Sequence, residues 1–201
     1  MRKLRLLLPF ALLTLVLGLS LAACGGGGES DEDKIVETIE TSATSTDPAD
    51  CKELATQAFL EQTELSEGAE AVKSCEKEAE DPTGDPDSVE VTKVKVDGSK
   101  ATADAAFKGG NFDGQVLSVA LVEEDGWKLD EVTGFAKLDQ DKLAQSLEDS
   151  LLSGDDALDP ATASCIGEVF AELSQPQTEE VLFGGDSKPI VELVEGCSQS
   201  Q

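Results

Sequence analysis

The apolar positions along the chain fall into four successive patterns. Leu6 to about Leu21 is an unbroken apolar run behind Arg2, Lys3 and Arg5. From residue 33 the period is helical: Ile35, Val36 and Ile39 predict a short first helix that runs out in the polar stretch 41–46. Asp47-Pro48 reads as a helix start, with Asp as N-cap and Pro at the first helical position. Cys51, Leu54, Ala55, Ala58 and Phe59 then fall at i, i+3, i+4, i+7 and i+8, which predicts a second helix with one apolar stripe. After Ser66, the positions Ala69, Val72, Cys75 and Ala79 predict a third.

From Asp81 the pattern is different. Pro82, Gly84 and Pro86 break the helix, and the next 45 residues or so alternate with period two. Val89 and Val91, then Val94 and Val96, share a strand with one change of phase near Thr92-Lys93, the signature of a bulge. Asp97-Gly98 signals a hairpin turn, and Ala101, Ala103, Ala105 and Phe107 line one face of the returning strand. Gly109, Gly110, Asn111 and Gly114 form a looser connection into Gln115 to Val122, apolar on both faces and hence central. Asp125-Gly126 turns the chain into a last strand from Trp127 to Val132.

Past Phe135 the helical period returns. Asp139 caps a helix carrying Leu143, Ala144, Leu147 and Leu151, and Asp159-Pro160 starts another carrying Ala163, Ile166, Val169, Phe170 and Leu173. Thr178 to Phe183 reads as one short turn, and Ile190, Leu193, Val194 and Cys197 as a last helix. The fold class is therefore α+β: N-terminal helices packed on a curved four-strand antiparallel sheet, followed by a small all-α module. The expected division is 1–23 leader, 24–32 tether, 33–136 α+β domain, 137–197 helical module and 198–201 tail.

The leader has a positive n-region and an apolar h-region, and ends Leu21-Ala22-Ala23-Cys24, which resembles a bacterial lipobox. That resemblance implies a diacylglyceryl group on Cys24, cleavage before it, and an extracytoplasmic lipoprotein anchored in the cell membrane; an uncleaved signal anchor or an ordinary secretory peptide are the alternatives. Gly25 to Gly28 followed by Glu29, Ser30, Asp31, Glu32 and Asp33 reads as a flexible, self-repelling tether with a reach of about 15–20 Å.

The whole chain carries 42 acidic and 15 basic residues, a formal charge of −27. Nucleic acid is excluded as a partner, because phosphate affinity needs clustered Lys and Arg. With no His there is no Ser-His or Cys-His nucleophile and no His-ligated metal. Once Cys24 is given to lipid, four cysteines remain in an exported chain, an even number that favours two disulfides. The division of the chain pairs Cys51 with Cys75 and Cys165 with Cys197. No CxxC motif occurs and the cysteines lie far apart, and no cofactor or metal is expected.

Helices leading into an antiparallel sheet that ends in Val-Glu-Glu-Asp-Gly-Trp-Lys-Leu (122–129) resemble the nuclear transport factor 2-like (NTF2-like) cone family, cystatin-like in its sheet, and in particular its actinobacterial lipoproteins. The resemblance covers about residues 33 to 135. The family wraps its sheet around a cavity and includes enzymes of the ketosteroid isomerase type as well as modules without chemistry. That isomerase chemistry needs Tyr, and related dehydratases need His; this chain has neither. Asp104 and Asp113 are the acids of the middle strands and their loop, and Asp104 alternates with Ala103 and Ala105 toward solvent. Asp81, Asp85 and Asp87, and Asp155, Asp156 and Asp159, form oxygen-rich loops without the EF-hand pattern.

Small residues on the inner face leave volume that either a helix or a ligand fills. Leu54, Phe59 or Val72 are the candidate fillers; Ala103, Ala105, Phe107, Val119, Leu121 and Trp127 are the candidate pocket lining, suited to a small apolar ligand. The expected function is a non-catalytic, lipid-anchored binding or interaction module of the envelope, with an unidentified protein or apolar molecule as partner. An enzyme with unfamiliar catalytic residues and a calcium-dependent envelope protein are the alternatives.

Overall fold

The computed structural model describes residues 29–80, 84–153, 157–186 and 188–199, so Cys24, the leader and most of the tether lie outside the described residues. The first helix, α1 (Asp31–Thr44), starts inside the expected tether. Ser30 closes a capping box with Asp33, and Asp31, Glu32 and Asp33 occupy the first turn, where the helix dipole favours acids. The Ser30 hydroxyl and amide also hold the Asp33 carboxyl below the usual range. Ile35, Thr38 and Ile39 form the buried stripe.

The expected second helix is two. α2 (Asp50–Glu53) stops after four residues, and α3 (Gln57–Thr63) begins afresh with Thr56 as its N-cap, accepting from the Phe59 amide. Between them the Leu129 amide donates to Leu54 O and the Thr56 amide to Leu129 O, both at 2.8 Å. The spacing is that of a helical stripe, but an unpaired sheet edge offers the backbone of 54–56 a competing set of hydrogen bonds. α4 (Ala69–Glu80) buries Ala71 rather than Ala69, because it packs on Ala55 and Leu60 of the preceding segment. The disulfide Cys51–Cys75 ties α2 to α4.

The sheet has the order β1-β2-β3-β4, all antiparallel, with β1 (Ser88–Asp97), β2 (Lys100–Lys108), β3 (Val116–Glu123) and β4 (Trp127–Lys137). The bulge in β1 falls where the phase changes: the register jumps between Thr92 and Lys95, and Lys93 has φ +54°. Val94 accordingly packs on the core, while Val96, beyond it, is 40 % exposed. The register of β4 against β3 shifts three times, leaving residues 130, 133 and 136 unopposed. A bulged strand bends and twists more than a regular one. The face opposite the core is half-covered along β3 rather than buried, so this strand is central in pairing and one-sided in burial.

Four helices follow: α5 (Gln140–Leu151), α6 (Pro160–Glu172), α7 (Gln175–Phe183) and α8 (Lys188–Gln199). Asp139 and Asp159 cap α5 and α6 through their carboxylates. α7 spans nine residues instead of one turn, because Ser174 and Gln177 hydrogen-bond to each other at its start. α8 runs through Ser198 and Gln199, past the expected start of the tail. Cys165–Cys197 joins α6 to α8. Two larger cores result, one under the sheet and one among the last helices, with Leu182 packed against both. No helix among the described residues is long and apolar enough to cross a membrane.

Candidate functional site: an apolar cavity beside an acidic groove

The inner face of the sheet is only partly filled. Ile35 and Ile39 of α1 cover one portion, joined by Trp127 and Leu129, with Ile39 and Leu129 at the border of the open space. Beyond them lies a cavity of about 320 Å³ whose walls come from α1, α3, the sheet and the C-terminal helices. Ser42 and Thr63 are its polar wall residues; among the described residues none of its walls is titratable. Of the six residues expected to line a pocket, Ala105, Phe107 and Val119 do so. Ala103, Leu121 and Trp127 lie outside the lining, packed in the same core away from the open space, with Trp127 bordering a surface groove. The filler is chiefly α1, with Phe59 of α3; Leu54 borders a surface groove and Val72 packs in the small cluster around Ala71.

The far end of the cavity is closed from a distance in sequence. Phe183, at the end of α7, has its ring centroid 5.3 Å from Phe135 and 6.3 Å from Phe112, which in turn lies 5.8 Å from Phe107. Three polar side chains hold this closure. Gln62 takes a hydrogen bond from the Val132 amide at 2.7 Å and donates to both Val132 O and Phe183 O. Glu179 accepts from the Phe135 amide at 2.8 Å, and Gln175 donates to Phe135 O. The free edge of β4 is thus satisfied at Leu129 by backbone, at Val132 by Gln62 and at Phe135 by α7. Gly134 lets Glu179 come close: its φ is +134°, and a Cβ there would sit 2.7 Å from the Glu179 carboxylate. Gln115, 1 % exposed, clamps the Asp139 amide and carbonyl in the same two-handed way.

Sequence reasoning singled out none of these glutamines. An amide side chain offers a donor and an acceptor together, so it pairs with one residue's N–H and C=O at once. Gln115 at the head of an apolar run was the visible signal; Gln62 gave none.

An acidic groove of about 160 Å³ adjoins the cavity. Ser42, Ala43, Phe59 and Thr63 line both, while Asp47, Asp50, Glu64, Glu78 and Asp85 line the groove alone, with no Lys or Arg among its walls in the described residues. Glu64 lines the groove and the next residue, Leu65, at φ +49°, lines the cavity. Burial, with repulsion from Glu78, pushes the Glu64 carboxyl up to about 7. Burial also raises Glu78, with Asp85 adding repulsion and Lys77 opposing it, and burial raises Asp85.

The two middle acids do structural work. Asp104 lies on the outer face, paired with Lys93 of the bulge at 2.8 Å and accepting from Ser118 at 2.9 Å; the Lys93 ammonium lowers its carboxyl. Asp113 holds the loop before β3, paired with Lys142 at 2.6 Å and accepting from the Gly109 amide, and Lys142 lowers it. Of the oxygen-rich loops, Asp81, Asp155 and Asp156 lie outside the described residues. Among the described residues no three carboxylates or cysteines are grouped to hold a metal. Comparison with known proteins finds no matching family model, no similar curated protein and no similar solved structure.

Proposed function

We propose that the chain is a lipid-anchored envelope protein whose folded part is a non-catalytic module holding a small apolar ligand within an NTF2-like cone. The anchor rests on the leader and on Leu21-Ala22-Ala23-Cys24. The cone rests on the three register shifts that bend β4 and on the helices laid across the inner face. The observation that carries the ligand is the cavity itself. Its volume of about 320 Å³ is at the small end of the range for ligand sites, and its lining is apolar with two hydroxyls. A carboxylate base for isomerase-type catalysis would have to stand in that lining, and among the described residues none does.

Titration with the neutral dye N-phenyl-1-naphthylamine tests the binding role. Saturable fluorescence enhancement with about one site per chain is expected. A linear, unsaturable response would leave the module without its ligand site.

A further inference from the structure

Building on the cavity reading, we infer that the ligand is a cationic amphiphile, its hydrocarbon part in the cavity and its ammonium group in the acidic groove. The two concavities share Ser42, Ala43, Phe59 and Thr63 as walls and so adjoin, and the inferred ligand spans that shared border. Consecutive residues of the turn after α3 serve the two sides, Glu64 lining the groove and Leu65 the cavity. The cavity alone selects for apolar surface and says nothing of charge. The groove adds the charge: five carboxylates line it and, among the described residues, no Lys or Arg does; Lys52 pairs with Glu76, and Lys77 acts on Glu78 from outside the lining.

Different head groups fare differently there. An ammonium presents three donors to acceptor-only carboxylates and relieves their mutual repulsion. A carboxylate head meets that repulsion, and a hydroxyl head leaves it unrelieved. Burial chiefly, with repulsion from Glu78 added, already holds the Glu64 carboxyl at about 7, and the second of these causes is the same repulsion seen from the protein side.

The experiment displaces N-phenyl-1-naphthylamine from the purified full chain with octylammonium, octanol and octanoate, at pH 8 and fixed salt. Octylammonium is expected to displace the dye at a concentration about tenfold or more below octanol, the range of a charge-assisted hydrogen bond, with octanoate the weakest. Glu64→Gln combined with Glu78→Gln should bring octylammonium to the octanol value and leave octanol itself unchanged. Glu172→Gln, an exposed acid on α6, should change nothing. Equal displacement by amine and alcohol in the parent chain would overturn the inference while leaving the cavity standing. So would an amine preference that survives the double substitution, since it would come from overall charge. Failure of the dye to bind at all would instead remove the cavity reading, and this inference with it.

Discussion

Gln62 touches three backbone atoms across 70 and 121 residues of sequence, more than any other described side chain achieves over such distances. Removing it strands a buried N–H and two carbonyls, and an orphaned buried group costs about 1–3 kcal/mol. Gln62→Ala should therefore lower the melting temperature by roughly 2–10 °C for a chain of this size. A change within a degree, followed by differential scanning calorimetry, would mean that water replaces the amide. Glu64 makes a prediction of opposite sign. Its carboxyl titrates near 4.5 in the unfolded chain and at about 7 in the folded one. Below pH 4.5 both states are protonated. Between 4.5 and 7 only the unfolded chain ionises, so stability falls as pH rises, and above 7 the full penalty remains. Glu78 and Asp85 are raised too and steepen the lower part of that fall. Glu64→Gln should flatten the decline and raise the melting temperature at pH 8 while leaving it unchanged at pH 4. Equal shifts at the two pH values would contradict the assignment.

At the scale of elements, the chain announced most of itself. Period two marked four strands, the phase change at Thr92-Lys93 marked the bulge, and Asp139 and Asp159 marked the starts of α5 and α6. What could not be read depended on partners far away. The spacing of Cys51 to Phe59 is that of one helix, and only the exposed edge of β4 explains its interruption at Leu54–Thr56. α7 shows the same limit, because its purpose is the edge at Phe135, 40 residues from Gln175. Gly134 tests that docking. Gly134→Ala adds a side chain at φ +134° and 2.7 Å from Glu179. Backbone strain of this kind costs about 1–3 kcal/mol, and the Phe135 amide should exchange hydrogen faster than in the parent, as hydrogen-exchange mass spectrometry reads out. Unaltered protection at Phe135 would mean that α7 does not depend on the close approach. The disulfides act locally as well: each closes a loop of 24 or 32 residues, worth about 3.5 kcal/mol in the chain-entropy account.

For the whole molecule, the charge bears on the proposed anchor. A folded part this acidic repels anionic lipid, so a lipidated Cys24 with a short tether would hold it off the bilayer surface. Expressed in a Gram-positive bacterium, the parent chain should partition with membranes and incorporate labelled palmitate. Cys24→Ser should abolish the label, and its persistence would refute the lipobox. The cavity was half legible. Small residues on the β2 face gave its floor, yet which alanines lie under α1 and which under open space depends on where α1 ends and where Phe183 arrives.

Ala103 and Ala105 therefore make the most direct test of the binding role, two residues apart on one strand face, one in solid core and one in the cavity wall. Ala103→Leu should overpack the core under α1 at a cost of about 1–3 kcal/mol and lower the melting temperature. Ala105→Leu should fill empty volume, keep the melting temperature within a degree or two, and abolish binding of N-phenyl-1-naphthylamine. Equal destabilisation by both substitutions, with no dye bound by the parent chain, would show that no ligand space exists beneath the sheet.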